Sequence, residues 1–381
     1  MARDYRAEFD IPREICYLNA CYMTPQPRRV VEAAQAGAQR RAQPWNLGAA
    51  DFFDDVEALR CRVAELAGAT PENIAIVPSA GYGVACAAAN IDVGADDIVL
   101  GIRDQFPANY YAWRRKASTV GADLHLCTKQ DGQSWAEAIL EDVAHFGERI
   151  AVAALEGYHW ATGESLELAR VVPALRDVGA RVVLDLSQSF GACPVDLDRL
   201  APDFMVAAGY KWQFCPYGVS FMYVDTQYFD GVSIEEPWMS REGAEDFSRL
   251  SEFTDRYQAG ARRYDVSEKS SFSNIAGALA AHELLADWGI ETVGSVLEAT
   301  NSRIASILDD HGFETLPAEV RAPHFQGARL PGGDSRSLAT KLADSGVYAS
   351  VRGDYLRISP HLYTDAKDLL RFAEVLRTAM S

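Results

Sequence analysis

The chain has 381 residues, room for two domains or for one large and one small, and its 48% hydrophobic and 24% charged residues suit a globular protein with a sizeable core. Lys and Arg number 36 against 54 Asp and Glu, a formal charge of −18 that excludes an electrostatic footprint for nucleic acid or anionic membrane. No apolar run reaches the ~18 residues that span a bilayer, and the opening segment lacks the apolar core of a signal peptide.

Hydrophobic periodicity places the elements along the chain. Residues 27–41 read as an amphipathic helix. Short β-rich apolar runs follow at 74–77, 97–101, 149–155, 180–185 and 204–208, each bounded by Gly, Pro or polar residues, as buried strands are. A second amphipathic helix is expected over 171–178 and its flanks. Residues 218–224 give a further strand, antiparallel to its neighbour. Alternating β and α of this kind predicts an α/β fold with a mostly parallel sheet covered on both faces. After about Arg262 the pattern changes to a long helix over 273–285, strands of a small second sheet at 321–330 and 355–358, and a closing helix over 365–380. The expected organisation is an N-terminal arm (1–25), a large domain (26–262) and a small C-terminal α+β domain (263–381).

The seven cysteines are scattered and form no CxxC pair. That argues against a disulfide framework or a metal site, and for a reducing, cytoplasmic compartment. Chemistry concentrates in Val-Val-Leu-Asp-Leu-Ser-Gln-Ser-Phe-Gly (182–191) and the following Gly-Tyr-Lys-Trp (209–212). Asp185 closes a buried strand and Lys211 lies just past the next, where ligands of open α/β sheets gather. Pyridoxal phosphate would give both a role: a Schiff base with Lys211 and a pyridinium kept protonated by Asp185. The same two residues would serve equally as a buried ion pair with no cofactor. Pro-Ser-Ala-Gly-Tyr-Gly (78–83) leads from a strand into a helix, where the backbone N–H groups of Ser79, Ala80 and Gly81 suit a phosphate.

With these motifs in order, the chain resembles the class V aminotransferase family of fold-type I pyridoxal phosphate enzymes over nearly its whole length. The resemblance runs from Tyr-Leu-Asn (17–19), through Asp185–x–x–Gln188 and Lys211, to Leu-Arg-Ile-Ser-Pro-His-Leu-Tyr (356–363). It implies Lys211 as the Schiff-base lysine, Asp185 as the pyridinium partner, Gln188 as the residue that hydrogen-bonds O3′ and Phe106 as the ring stacked on the cofactor. Tyr210 would hydrogen-bond the phosphate. Arg357 would clamp the substrate α-carboxylate, because a guanidinium fork meets two oxygens in one plane. Arg352 is a second candidate for that carboxylate or a distal acidic group, and would serve equally in a surface ion pair. His159 falls near a position that contacts O3′ or substrate, with a core or solvated histidine as the alternative. Residues 265–271 resemble the stretch that reaches a neighbouring subunit's phosphate, which implies a homodimer and a role for Ser271. Ala208 and Ser267 depart from the family pattern, where Ser and Gly respectively are usual.

Within the family the chain resembles the subgroup of isopenicillin N epimerases, kynureninases and cysteine-conjugate C–S lyases, including lincosamide-type biosynthetic enzymes. Cysteine desulfurases carry a nucleophilic cysteine shortly before the substrate arginine. Here no cysteine follows Cys215, and only Ser350 stands in that stretch, so persulfide-forming desulfuration is not expected. The expected activity is C–S lyase-like β-elimination on a cysteine S-conjugate, a small-molecule amino acid. Transamination, epimerisation and decarboxylating oxidative deamination remain open, as does a catalytically silent fold used for binding. The intact set of Lys211, Asp185, Gln188 and Arg357 argues against the last.

Overall fold

The computed structural model describes residues 3–380. Its central sheet has seven strands: β1 (Ile74–Val77), β2 (Ile98–Ile102), β3 (Asp123–Cys127), β4 (Ile150–Glu156), β5 (Arg181–Asp185), β6 (Phe204–Ala208) and β7 (Ser220–Val224). Their order across the sheet is β1-β7-β6-β5-β4-β2-β3. Pairings from β6 through β3 are parallel, whereas β7 lies antiparallel to both β6 and β1. The sheet is therefore mostly parallel, and the 218–224 run takes the expected direction.

The continuous apolar character of the strands follows from burial on both faces. Side chains alternate along a strand, so Leu184 and Met205 enter one core while Val183 and Val206 enter the other. The edge strand β3 escapes a search for apolar runs because only Cys127 at its end is fully buried.

A second, antiparallel sheet is formed by β8 (Gln326–Arg329), β9 (Ser350–Arg352) and β10 (Tyr355–Ile358), in the order β9-β10-β8. The strand expected over 321–330 starts only at Gln326. Pro323 has no N–H to give a ladder, and Ala322 N donates instead to Gly163 O at 2.6 Å. Helices Ile290–Asp310, Ser335–Asp344 and Ala366–Met380 pack with this sheet around a core that includes Leu308, Leu342, Leu356 and Phe372. The helix expected over 273–285 spans Phe272–Trp288. No helix among the described residues is long and apolar enough to cross a membrane.

The N-terminal segment is tied to the C-terminal region by a separate two-stranded sheet beside this one. Cys16–Tyr17 pairs parallel with Val347–Tyr348, and Asn19 bridges Ser359. Arg6 anchors the start, with Nη1 2.6 Å from Asp368 Oδ2 and 3.1 Å from the Tyr363 carbonyl. The consequence is positional: residues 21–23 are carried to the carboxyl edge of the main sheet, where β4, β5 and β6 end.

Candidate active site

Strand ends supply most of the candidate residues. Asp185 is the last residue of β5, Glu156 the last of β4 and its register partner, and Lys211 stands three residues beyond β6. The tight turn after β6 needs glycine at 209, where a Cβ would lie 2.6 Å from Val219 O. Cys215 N closes the turn on Gly209 O at 3.0 Å, which holds Lys211 inward.

Lys211 is 6% exposed, yet no ion pair or hydrogen bond holds its amine among the described residues. Its Nζ sits 5.3 Å from the Phe106 ring centroid and 5.9 Å from that of Tyr210. Burial pulls the amine below its ordinary pKa; the charge of Asp185 opposes this and that of Arg357 adds to it. Asp185 is also buried, and its Oδ1 accepts only from Ser187 N, at 3.0 Å. The internal Asp–Lys ion pair is thus not formed: both groups are buried, and Lys211 faces open space rather than Asp185. Beside them, burial first and the Asp185 charge second hold Glu156 well above the usual carboxylate range, which favours its neutral form.

That space opens into a cavity of about 450 Å³. Lys211, Gln188, Phe106, Tyr210, Arg357 and Arg352 all line it, so six of the candidates drawn from the sequence come together. Phe106 caps the Pro107–Val120 helix and presents its ring to Lys211. Gln188 is fixed by donating to Cys21 O at 3.3 Å and accepting from Trp212 Nε1 at 3.1 Å. Arg357 is 1% exposed; its Nη1 donates to Trp160 O at 2.9 Å, and its Nε has no partner. Burial lowers the Arg357 pKa; Cys21 opposes this, and the like charge of Arg352 adds a smaller lowering.

Other candidates sit elsewhere. Ser79 N-caps the Ala80–Asn90 helix, its Oγ accepting from Tyr82 N at 3.1 Å. Ser79, Ala80 and Gly81 therefore present a helix N-terminus at the carboxyl end of β1, outside the cavity wall. His159 is turned away: its ring stacks on Trp135 at 5.8 Å and its Nδ1 meets Thr162 Oγ1 at 3.1 Å. Burial lowers its pKa to about 4, leaving it a neutral core histidine. Ser271 is exposed at the head of the Phe272–Trp288 helix and lines no part of the cavity.

Sequence reasoning missed two walls. Trp160, next to His159, donates its backbone N–H to Glu156 at 3.2 Å and its indole N–H to Asp104 O at 2.7 Å, and meets Phe106 edge-on at 5.6 Å. Cys21, with Tyr22 and Met23, closes the side formed by the N-terminal segment. Its backbone N–H donates to Ser359 Oγ at 2.9 Å, and burial raises its thiol, so it stays protonated. The only signal for Cys21 was its place just after the Tyr-Leu-Asn motif.

A model of the aminotransferase class-V family matches residues 17–372. The chain is 26% identical to a protein named kynureninase from Stenotrophomonas maltophilia, across 98% of this chain and 94% of that one. It is 27% identical to another kynureninase, from Deinococcus radiodurans, across 68% of this chain but 63% of that one. Among solved structures, a complex of the cystine C–S lyase C-DES with cysteine persulfide has the same fold, with TM-score 0.84 and 21% identity across 95% of this chain and 97% of that one. So does the apo cysteine desulfurase from Thermococcus onnurineus NA1, with TM-score 0.81 and 19% identity across 99% and 98%.

Proposed function

We infer the chemistry of this site from one premise: the chain belongs to the aminotransferase class-V family. It is a pyridoxal-phosphate-dependent enzyme. The residues fit that cofactor, because a buried amine without a partner, an aromatic ring 5.3 Å from it and a buried carboxylate at the neighbouring strand end are the groups it needs. Bound there, pyridoxal phosphate supplies an electron sink for charge that develops at the substrate's Cα.

We propose that Lys211 carries the cofactor and, once displaced by substrate, removes the Cα proton; burial, which lowers its pKa, favours the free amine that this needs. Asp185 holds the pyridinium proton, Phe106 stacks, Gln188 reaches O3′, and Tyr210 with the Ser79–Ala80–Gly81 helix start holds the phosphate. Arg357 fixes the α-carboxylate. The observation that carries this reading is that the unpaired Lys211 amine and the Arg357 guanidinium, which has no acidic partner, line one aromatic cavity.

The reaction we favour is β-elimination from a cysteine S-conjugate, which with water gives a thiol, pyruvate and ammonia. Aromatic walls from Phe106, Trp160, Tyr22, Tyr210 and Tyr217 suit a thioether. Cys21 is the cavity's one cysteine and its thiol is held protonated, which speaks against a protein persulfide. The kynureninase names among the relatives favour a second reading, an activity like theirs. The test is turnover of S-conjugates without added keto acid. Repeated release of thiol and pyruvate supports the lyase; a single turnover rescued by a keto acid identifies a transaminase instead. A homodimer is part of the proposal, checked by sedimentation at micromolar concentration.

A further inference from the structure

The chain is strongly acidic, but its central cavity has the opposite character. Three of the wall residues, Lys211, Arg352 and Arg357, are cationic, and none is a carboxylate. No acid pairs with either guanidinium among the described residues. Arg352 has one hydrogen bond, from Nη1 to the Val351 carbonyl at 2.8 Å, and is half-buried. Buried or half-buried like charges repel, so this arrangement is unfavourable unless an anion enters.

Register fixes the spacing of the two forks. Ser350 on β9 stands opposite Arg357 on β10, and Arg352 lies two residues along from Ser350. Side chains two apart on a strand share a face, so Arg352 and Arg357 are diagonal neighbours, with backbones roughly 7–8 Å apart. Trp160 lies against both, its ring centroid 5.6 Å from the Arg352 Cζ and 5.9 Å from the Arg357 Cζ. The indole and the Trp160 carbonyl, which accepts from Arg357, hold the forks as two separate sites.

We propose that the substrate is a dianionic amino acid, whose α-carboxylate goes to Arg357 and whose second, distal anionic group goes to Arg352. This deepens the reading of Proposed function and rests on its assignment of Arg357. For a cysteine S-conjugate, the group on sulfur would end in a carboxylate or a similar anion. Lys211 is committed to the cofactor in that reading, so the second anion has Arg352 as its only free cationic partner on the wall. Aromatic surfaces between the two anion sites match a short apolar linker.

The test uses ligands without an amine, which bind but cannot react. Succinate, glutarate and adipate are compared with butyrate, valerate and hexanoate on the holoenzyme by calorimetry. A second charge-assisted contact predicts that the best dicarboxylate binds at least roughly tenfold tighter than its monocarboxylate counterpart, with an optimum chain length. In Arg352→Gln that ratio should fall to about one, and Arg352→Lys should restore part of it. A ratio near one in the unaltered protein, or a ratio unchanged in Arg352→Gln, overturns the proposal. If the glutamine variant does not fold, the length series on the unaltered protein decides alone, since a flat series with no preference contradicts two fixed sites. Thiol release from neutral conjugates together with a ratio near one would remove this inference and leave the lyase. A high ratio with no thiol release from any conjugate would do the reverse.

Discussion

Two regions of this protein bury the same kinds of charge and treat them in opposite ways. At Arg60, Asp265 and Lys269, all at most 2% exposed, every ion is matched. Asp265 Oδ2 lies 2.8 Å from both Arg60 Nη2 and Lys269 Nζ, and its Oδ1 also accepts from Ile76 N at 2.8 Å. This cluster ties the Asp54–Ala67 helix, β1 and the chain after Tyr264 together. At Lys211, Asp185 and Arg357, at most 7% exposed, the side chains are also buried but form no ion pair among the described residues. A buried charge is costly unless paired, so the first region reads as cohesion and the second as readiness for a ligand.

If that contrast is right, substitutions in the two regions should fail in different assays. Lys211→Ala should lower turnover by at least about 10⁴-fold and leave the melting temperature of the apoprotein unchanged or higher. Asp265→Ala should strand the buried Lys269, leave Arg60 with Glu57 alone, and destabilise by about 3–5 kcal/mol in urea unfolding. Burial opposes the Asp265 charge, but Arg60 and then Lys269 outweigh it and hold its pKa below the ordinary value. A carboxylate whose pKa is lower in the folded state stabilises above its unfolded value and loses that contribution as pH falls through the folded one. Acid unfolding below about pH 4 should therefore steepen with Asp265 present and flatten in Asp265→Asn, read by circular dichroism.

Arg357→Gln sharpens the comparison from the other side. It should cost about 2–5 kcal/mol in kcat/KM for every amino-acid substrate, with little effect on unfolding. The smallest effect is expected at Glu156. With its neutral form favoured beside Asp185, it should accept Glu156→Gln with less than about 1 kcal/mol change in stability, by thermal melts. A loss of several kcal/mol would mean that Glu156 is ionised and belongs to the charged set.

What the sequence made legible follows from the range of the interactions involved. The buried strands that end at Asp185 and before Lys211 announce themselves because both faces are covered, so their interior residues are all apolar. Edge strand β3, half in solvent, and the 321–325 segment, whose Ala322 hydrogen-bonds a distant loop, carry no such local mark. At the site, motif residues on the strand ends were readable. Trp160 was not, because whether it or His159 faces the cavity depends on a loop held by Glu156, Asp104 and Arg357 together. Cys21 reaches the wall through contacts distant in sequence, the pairing of Asn19 with Ser359 and its own bonds to Ser359 and Gln188. Residues 265–271 resemble a stretch that serves a partner subunit, yet Asp265 is held inside its own chain by Arg60, a contact no spacing could reveal.

The distinction between paired and unpaired buried ions is tested most directly by trapping the cofactor. The protein is loaded with pyridoxal phosphate, reduced with borohydride, digested and mapped. The account predicts a pyridoxyl label on Lys211, whose amine is buried and without an ion-pair partner. A label on Lys269, the buried lysine that Asp265 already holds, would contradict it.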